Sequence, residues 1–522
     1  MEKRHAIRAR RTHDGAEAEV DERRTLAQGG VLGRRIVTEA TRQHDAAIVR
    51  MHCTACGEVR MQRGLQHRTQ AMRRPLRLDK QPMAGDAAPV SWRDRHRERL
   101  ATAEQALGVV RPGDTVAVAS FSNTPHALCR ALAARAGALG GVRVDHLASL
   151  FPWDPNTIAL TTNYATAADR GAVNAGRVAY LPISHWHADA LPPGVSPSPD
   201  VYLVPVSPPD GEGRCSFGTG AWFSPVYCRV AHTVIGEVHE DFIRTGGDSW
   251  APVERFRHLV PADEPTGMVT TAPRTEEETA ATEVICTLVA HELVRDRDTL
   301  QVGIGTVSSA LGLYLDHRHD LGVQSEAITA GIPTLVERGV VTGRHKVLHP
   351  GVVVGSFMMG LTPAELAFVD GHPGFALYGF GTTDDVTMLV RERNLTAVNN
   401  ALLVDLTGQV ASEGIGTHLW SGVGGQAAFA IAAAYSPGGR AIFVLPSAHR
   451  TAGGLRSRLV PVLPPGTPVT LPRGFVDYVV TEHGIATLRG KTLRQRVEEL
   501  VAVAHPDFRA ELRAEARRLH SC

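Results

Sequence analysis

Residues 295–312 read RDRDTLQVGIGTVSSALG, and this stretch indicates the fold of the second half of the chain. A charged turn leads into an apolar run that ends in a glycine-punctuated turn, which is the pattern of a buried strand followed by a turn and a helix. The same pattern occurs earlier, at residues 111–128, RPGDTVAVASFSNTPHAL, where Asp114 and Thr115 match Asp298 and Thr299. Two long segments that open in the same way predict two related α/β domains.

Outward from these two stretches, Val- and Ile-rich runs alternate with Ala- and Leu-rich segments that have helical spacing. This alternation is typical of a parallel α/β sheet. Residues 92–110 are predicted as one helix, and the C-terminal segment as two helices broken at His505-Pro506. The predicted strands of the first half are 115–120 and the runs VRVDHLASL, RVAYLPI, DVYLVPVS and HTVIGEV.

The chain divides into three parts by composition. Residues 1–82 are rich in Arg, His and Gln and show no strand alternation or amphipathic stripe, so we predict a disordered or spurious N-terminal extension, with Met83 as a plausible true start. Residues 83–275 form the predicted first α/β domain. The charged stretch 272–281 leads into the second domain, residues 276–522, which carries the candidate catalytic residue described below.

Composition excludes several classes of protein. The chain has 522 residues, 43% hydrophobic and 21% charged, with a net charge of +1, which does not favour binding to nucleic acid. No apolar run reaches the roughly 20 residues that span a bilayer. Seven scattered cysteines fit a reducing compartment better than a disulfide framework. We therefore expect a cytoplasmic protein with no membrane or nucleic-acid partner.

Glu326 is the strongest candidate for chemistry. It ends the run DLGVQSE and lies between two glycine-rich turns, LQVGIGTV at residues 300–307 and SGVGGQ at residues 421–426. A carboxylate so placed is suited to covalent catalysis, and the turns could supply backbone N–H groups to a developing oxyanion. The second turn runs into an apolar helix whose N-terminus could face anionic groups of a ligand.

Other reactive residues have weaker patterns. His185 and His187 could be paired metal ligands, but no third ligand is near them in sequence, so we predict structural histidines and no metal site. The motif Cys53-Thr-Ala-Cys56, with His52 and His67 nearby, lacks the second ligand pair of a zinc site. Cys215 has no identified histidine partner and is predicted to be inert.

Seven strings in order resemble the acetyl-CoA hydrolase/transferase family, which includes the 4-hydroxybutyrate and acetate CoA-transferases. They are LQVGIGTV, DLGVQSE, VNNALLVDLTGQV, SGVGGQAAF, SRLVPVLPPGTPVTLPR, YVVTEHGIATLRGKTLRQRV and AHPDFR. The strings SPPDGEGRCSFG and IGEVHEDFIRTGG of the first half have the same character. The resemblance covers roughly residues 91–515 and leaves the first 80 or so unexplained.

The resemblance implies two similar open α/β domains of class I CoA-transferase type, with NagB/Rossmann-like sheets. It also implies that Glu326 is the nucleophile and that coenzyme A moves between short-chain carboxylic acids, such as 4-hydroxybutyrate or acetate, through a glutamyl-CoA thioester. Asn399 or Asn400 would contact the glutamyl group, and the choice between them stays open. The residues expected to line the CoA or acyl pocket are Gly303, Ile304, Gly305, Thr306, Val307, Gly422, Gly424 and Gly425.

The resemblance further implies acyl-CoA and carboxylic acids as the small-molecule partners, coenzyme A as a substrate with no tightly bound cofactor, a role in acetate metabolism, and a homodimer or larger homo-oligomer. Arg456 and Arg458, or Arg489 and Lys491, would bind CoA phosphates or be solvated surface charges. The alternatives are an acyl-CoA hydrolase on the same scaffold and a non-catalytic CoA-binding protein. Three positions depart from the family pattern: Ser308 for a usual proline, Gln324 for a common histidine and Ala327 for a common methionine.

Overall fold

The computed structural model describes residues 91–185, 198–262, 264 and 275–520, and the backbone of three short strands nearer the N-terminus. Those three strands, Val37–Glu39, Arg50–Cys53 and Gly57–Arg60, form a small antiparallel sheet within residues 1–83, which are a unit separate from residues 84–522. Within the described residues, no helix has both the length and the apolar character needed to cross a bilayer.

A seven-stranded parallel sheet, here the N-terminal sheet, forms the centre of the first half. Val201–Val206 and Thr115–Val118 are buried along their whole length, which is why they read as continuous apolar runs without alternation. The strands in spatial order are Phe256–Pro261, Thr233–Val238, Val201–Val206, Thr115–Val118, Arg143–Asp145, Ala159–Thr162 and Ala179–Tyr180.

A six-stranded sheet, here the C-terminal sheet, forms the centre of the second half. Its neighbouring strands are parallel, apart from an antiparallel hairpin at one edge. Thr115–Val118 and Thr299–Val302, the strands of the two matching sequence stretches, each lie inside their own sheet, and this confirms the predicted pair of α/β sheets. The strands in spatial order are Gly322–Val323, Thr299–Val302, Leu395–Asn400, Arg440–Val444, Tyr478–Thr481 and Gly484–Thr487.

Shorter strands pair outside the two main sheets. Gly246–Gly247 of the first half pairs with Phe375–Leu377 of the second, so the two halves share hydrogen-bonded backbone. The other pairings are Phe375–Leu377 with Val353–Gly355, Ala327–Thr329 with Phe357–Met359, Trp250–Pro252 with Arg214–Ser216, Leu403–Asp405 with Val410–Ala411 and Leu459–Val460, Gly414–Ile415 with His418–Leu419, and Ala448–Thr451 with Gly454–Ser457.

The helices cover the sheets, and several begin at a capping box. Thr275 with Glu278, Thr362 with Glu365, and Thr492 with Gln495 each satisfy two free backbone N–H groups at a helix start. The α-helices are Trp92–Arg95, Ala103–Ala106, His126–Arg135, Arg170–Asn174, Ser224–Val230, Glu276–Leu288, Ile332–Glu337, Pro363–Val369, Phe380–Thr383, Val386–Leu389, Gln426–Tyr435, Leu493–Ala502 and Arg509–His520.

Tighter and wider helical turns connect or extend these helices. Val289–Leu293 continues Glu276–Leu288 as a π-helical turn. The 3-10 helices are Arg97–Arg99, Leu107–Val109, Phe121–Asn123, Ala136–Ala138, Val253–Arg255, Ser308–Tyr314, Arg473–Phe475 and Pro506–Phe508. The two C-terminal helices separate at His505-Pro506, as predicted.

The single helix predicted over residues 92–110 is wrong. The chain bends at Leu100, which is extended and bridges to Leu259 beside the N-terminal sheet. A new helix then begins at Ala103, where Thr102 and Gln105 form a capping box. The Thr-x-x-Gln pattern is a helix start. This start lies inside residues 92–110, where the helical spacing of apolar residues had predicted one continuous helix.

The parallel strands of the C-terminal sheet place the candidate site. Gly303 follows Thr299–Val302 directly, and Asn399 and Asn400 end the neighbouring strand Leu395–Asn400. The carboxyl ends of parallel strands meet at one edge of a sheet, where ligands of open α/β folds bind. Gly303, Asn399 and Asn400 therefore lie together, and all three line one cavity.

Candidate active site

The backbone of Glu326 is fixed between two short strands, Gly322–Val323 and Ala327–Thr329. Its carbonyl oxygen accepts hydrogen bonds from the backbone N–H groups of Ser356, at 2.7 Å, and Phe357, at 3.2 Å. The preceding Ser325 hydroxyl is buried and hydrogen-bonded to the main chain of Val302. The Glu326 side chain, 13% exposed, reaches from this rigid base into the cavity.

Two further side chains from other parts of the chain reach the Glu326 carboxylate. His185 places Nδ1 2.6 Å from Oε1 of Glu326. Asp384 supplies a second carboxyl group. One nitrogen of His185 and one oxygen of each acid lie within 4.8 Å of one another. Burial, and after it the negative charge of Glu326, raises the pKa of Asp384 well above its usual range, while the Thr383 hydroxyl lowers it to a smaller extent.

The turn at residues 421–426 lies against these carboxyl groups. Gly425 precedes the helix Gln426–Tyr435, and a Cβ atom added there would lie 2.3 Å from Oδ2 of Asp384 and 2.8 Å from Oε2 of Glu326. Gly424 has a φ of +59°, in the left-handed region that favours glycine. Gly422 packs against the main chain of Asn163 and Tyr164. The three predicted glycines all line the cavity.

The turn after Thr299–Val302 forms the facing wall. Gly303, Ile304, Gly305 and Thr306 line the cavity. Val307, which was expected to line it too, lies in the core instead and is 1% exposed. The turn closes into the 3-10 helix Ser308–Tyr314 at this residue, and the apolar side chain packs inward.

Asn399 and Asn400 line the cavity, but their hydrogen bonds go to neighbours other than Glu326. The amides of Asn399 and Gln301 bond to each other, at 2.8 and 3.1 Å. Asn400 Oδ1 accepts from the backbone N–H of Ser308 at 2.9 Å, and the Ser308 hydroxyl donates to the carbonyl of Gly303 at 2.8 Å. The two asparagines therefore hold the glycine turn in shape. Ser308, the departure from the usual proline, also stabilises that turn.

The cavity has a volume of about 530 Å³. Part of its lining is aromatic and apolar, and Trp222, Phe357 and Met359 in that part are buried. Trp222 stacks on Phe357, with ring centroids 3.8 Å apart, and on Phe121, at 4.9 Å. His185 stacks on Phe380 at 4.2 Å, which connects this aromatic group to the Glu326 carboxylate. An acyl group attached at Glu326 would have apolar surface beside it.

The cavity lining also carries charge. Arg458 and Glu278 both line the cavity, and the charge of Arg458 interacts with Glu278 and Glu482. The Nε of Arg458 is buried without a hydrogen-bond partner. Arg489 pairs with Asp477 and Lys491 pairs with Glu499, and neither cation lines the cavity. Of the four cations considered for CoA phosphates, Arg458 alone lines this cavity.

The other reactive residues lie apart from this chemistry. Cys215 is buried, which raises the pKa of its thiol to about 12, so it is not a thiolate at neutral pH. His187 and the side chains of Cys53 and Cys56 lie outside the described part of the structure.

His185, Glu326 and Asp384 also have a spacing that could hold a metal ion. A bound ion would occupy the carboxylate oxygens that a thioester must reach. Metal binding and nucleophilic attack by Glu326 are therefore alternatives at this position.

The sequence patterns predicted the glycine turns and Glu326 as site residues. They did not predict that His185 and Asp384 lie beside Glu326. His185 was noted only as one of two histidines in the string SHWH, and Asp384 lies in the unremarkable string TTDD. Both reach Glu326 through the tertiary fold, His185 from the first half of the chain. Sequence spacing carries no signal for such a contact.

Two family models match the chain. One, described as the acetyl-CoA hydrolase/transferase N-terminal domain, matches residues 86–270. The other, described as the acetyl-CoA hydrolase/transferase C-terminal domain, matches residues 364–516.

Similar proteins of known activity are CoA-transferases. The 4-hydroxybutyrate coenzyme A transferase of Clostridium kluyveri is 35% identical over 436 residues, which cover 82% of this chain and 100% of that protein. The succinyl-CoA:cyclohexane-1-carboxylate CoA transferase of Geobacter metallireducens is 32% identical over 82% of this chain and 98% of its own length.

Solved structures share the fold. RipA from Yersinia pestis is 30% identical and matches 83% of this chain and 100% of its own, with a TM-score of 0.75. The 4-hydroxybutyrate CoA-transferase from Porphyromonas gingivalis is 29% identical and matches 82% of this chain and 100% of its own, with a TM-score of 0.66.

Proposed function

The chain belongs to the acetyl-CoA hydrolase/transferase family, and we propose that it moves coenzyme A between carboxylic acids through a covalent intermediate on Glu326. The observation that carries the assignment of Glu326 is its position. A carboxylate on a rigid backbone enters a cavity between the glycine turns at residues 303–306 and 422–425, with His185 2.6 Å away. Glycine turns allow a ligand close to the backbone.

In the first step, a carboxylate oxygen of Glu326 attacks the thioester carbon of an acyl-CoA. The carbon–sulfur bond breaks, and CoA leaves as a thiolate. The product on the enzyme is a mixed anhydride between the acyl group and Glu326. His185, hydrogen-bonded to Oε1, holds the carboxylate in one orientation for this attack.

In the second step, the CoA thiolate attacks the Glu326 carbon of the anhydride. The original acid leaves as its carboxylate, and a glutamyl-CoA thioester remains on the enzyme. An incoming acid then repeats the two steps in reverse and leaves as a new acyl-CoA. Anhydride and thioester are both activated acyl groups, so the exchange needs no ATP and no tightly bound cofactor.

Each attack passes through a tetrahedral oxyanion. The backbone N–H groups around Gly424 and Gly425 lie at the start of the helix Gln426–Tyr435, where both the free N–H groups and the helix dipole favour negative charge. One well-placed donor of this kind is worth roughly 3 kcal/mol of transition-state stabilisation.

The acyl group we propose is apolar and has no second charge. Trp222, Phe357 and Met359 line the cavity and are buried. Among the described lining residues, Arg458 is the sole Lys or Arg, and its charge partners are Glu278 and Glu482 rather than Glu326. A second carboxylate on the acyl group would be buried without a cation, which is costly.

The choice between a transferase and a hydrolase rests on whether water replaces the acceptor acid. Thioester loss from butyryl-CoA is measured with and without acetate, in the wild type and in Glu326→Gln. We expect transfer to acetate with little acetate-independent hydrolysis, and a loss of about 1,000-fold or more in Glu326→Gln because the nucleophile is removed. Full-rate turnover without acetate would instead establish the hydrolase.

The acyl preference is tested with a panel of acetyl-, butyryl-, 4-hydroxybutyryl-, cyclohexanecarbonyl- and succinyl-CoA under one set of conditions. We expect kcat/KM for succinyl-CoA to be at least about 100-fold below that of the best neutral acyl group, because its free carboxylate would be buried unpaired. A succinyl-CoA value equal to the best of the panel contradicts the proposal. The family resemblance also predicts a cytoplasmic homo-oligomer, and sedimentation velocity tests the oligomeric state.

A further inference from the structure

Asp384 has one carboxylate oxygen with no hydrogen-bond partner, although the residue is fully buried. Its Oδ1 accepts a hydrogen bond from the Thr383 hydroxyl at 2.9 Å, and Thr383 Oγ1 lies 2.6 Å from Ser356 Oγ. The Thr383 hydroxyl therefore bonds to Oδ1, and Oδ2 is left unpartnered. An ionised carboxylate with an unpaired buried oxygen is energetically unfavourable.

The unpartnered oxygen faces the nucleophile. A single point, the position of a Cβ atom on Gly425, lies 2.3 Å from Asp384 Oδ2 and 2.8 Å from Glu326 Oε2. The two oxygens therefore border the same small space. His185 occupies the other oxygen of Glu326, Oε1, so Oε2 is the one turned toward Asp384.

Resting on the function proposed above, we propose that Asp384 keeps a proton on Oδ2 while Glu326 is ionised, and that this O–H is the hydrogen-bond donor to Oε2 of Glu326 when the CoA thiolate attacks the glutamyl carbon. Asp384 is then a catalytic residue, because it contacts a reacting oxygen. The proton stays on Asp384 throughout.

The groups around Asp384 favour a proton on this carboxyl group. Glu326 faces it with negative charge, and two carboxylates this close and this buried do not both ionise readily. The remaining neighbours are the hydroxyls of Thr383 and Ser356, and among the described residues no Lys or Arg hydrogen-bonds to Asp384. Tyr164, whose charge would interact with Glu326, is neutral at physiological pH, since burial raises the pKa of its hydroxyl to about 12.

Each bond that forms when the thiolate attacks is matched by a bond that breaks. The acyl group enters the anhydride on Oε1, and Oε2 is the carbonyl oxygen of the glutamyl half. The thiolate sulfur attacks the glutamyl carbon, and the carbonyl electron pair moves to Oε2, where the Asp384 O–H donates to the oxyanion. The oxyanion collapses, and the bond from the glutamyl carbon to Oε1 breaks. The acid leaves with Oε1, and Oε2 remains as the thioester carbonyl.

The protonation state is tested first, without reference to turnover. The infrared spectrum of the wild type at pH 7 should contain the carbonyl stretch of a protonated carboxylic acid that is lost in Asp384→Asn. The difference between the two spectra removes the contribution of other buried acids, such as Glu413. In Glu326→Gln the band should disappear at a lower pH than in the wild type, because the repelling charge of Glu326 is gone. No difference band at pH 7 overturns the proposal.

The catalytic role is tested by turnover. Asp384→Asn keeps a donor of similar shape that does not ionise, so we expect kcat at pH 7 within about tenfold of the wild type. Asp384→Ala should lose about 100-fold or more, as for removal of one oxyanion donor. Wild-type kcat should fall at alkaline pH as Asp384 ionises, and Asp384→Asn should lack that fall. Equal losses in Asn and Ala variants of the same thermal stability overturn the role.

Different measurements test the covalent role of Glu326 and the protonation of Asp384. If no covalent adduct forms on Glu326, the proposed function fails. The infrared band still tests the protonation of Asp384 independently of that result. If the adduct forms and the band is absent, only the role of Asp384 is wrong.

Discussion

At the residue scale, the site depends on the absence of a side chain at Gly425. A Cβ atom there would clash with both Glu326 and Asp384, at distances that real Cβ atoms do not adopt. The glycine cluster and Glu326 could be predicted from the sequence because both lie in local patterns. Asp384 and His185 could not, since no sequence period relates them to Glu326 and only the folded chain brings them together.

Gly425→Ala is therefore expected to lower kcat/KM by about 100-fold or more, because displacement of reacting groups by even an ångström is costly. Its melting temperature should change little beyond that of a matched control. Gly474→Ala is that control, since a Cβ atom on Gly474 meets no neighbour within 4 Å. Full activity in Gly425→Ala would mean that the carboxyl groups do not need their present positions.

At the element scale, a buried ion pair joins two central strands of the C-terminal sheet. Arg440, at the start of Arg440–Val444, pairs with Asp298, which directly precedes Thr299–Val302, and also donates to the carbonyl of Leu293. Their side chains are 5% and 1% exposed. The Asp-Thr pair of the repeated stretch thus has a structural role in the second half, where Asp298 anchors the strand that leads to Gly303.

We expect Asp298→Asn to lower the free energy of unfolding by about 3–5 kcal/mol, because Arg440 would keep a buried charge without its partner. Urea unfolding measures the loss. Glu515→Gln is the matched control, since Glu515 forms an exposed pair with Arg518 within one helix, and it should change stability by less than about 1 kcal/mol. Similar effects of the two substitutions would contradict the role of the buried pair.

Sequence patterns predicted best the strands that are continuous apolar runs. The apolar runs at 115–120, 200–207 and 232–238 contain the strands Thr115–Val118, Val201–Val206 and Thr233–Val238. The strands Ala159–Thr162 and Phe256–Pro261 were not predicted, since exposed or half-buried residues interrupt both. The helix predicted at 92–110 failed because a local capping box and a contact with Leu259 outweigh helical spacing.

At the scale of the whole molecule, the site is built from both halves of the chain. His185, Tyr164 and Trp222 come from the first half, and Glu326, Asp384 and Gly425 from the second. The repeated strand–turn pattern predicted two sheets, but not how they meet. That information lies in contacts between distant residues, such as the pairing of Gly246–Gly247 with Phe375–Leu377.

All described residues of the cavity belong to the unit formed by residues 84–522. We therefore expect a chain that begins at Met83 to keep the kcat/KM and the melting temperature of the full chain. Acyl transfer assays and calorimetry on the two proteins measure this. A large loss of stability on truncation would show that residues 1–82 take part in folding.

The central claim is that Glu326 becomes covalently attached during turnover. Mass spectrometry of the digested protein after incubation with acyl-CoA tests it most directly. We predict a glutamyl-CoA adduct on the peptide that contains Glu326, absent in Glu326→Gln and retained in Glu337→Gln, which replaces an exposed glutamate of the same half. An active enzyme with no adduct on that peptide, or an active Glu326→Gln variant, would contradict the account.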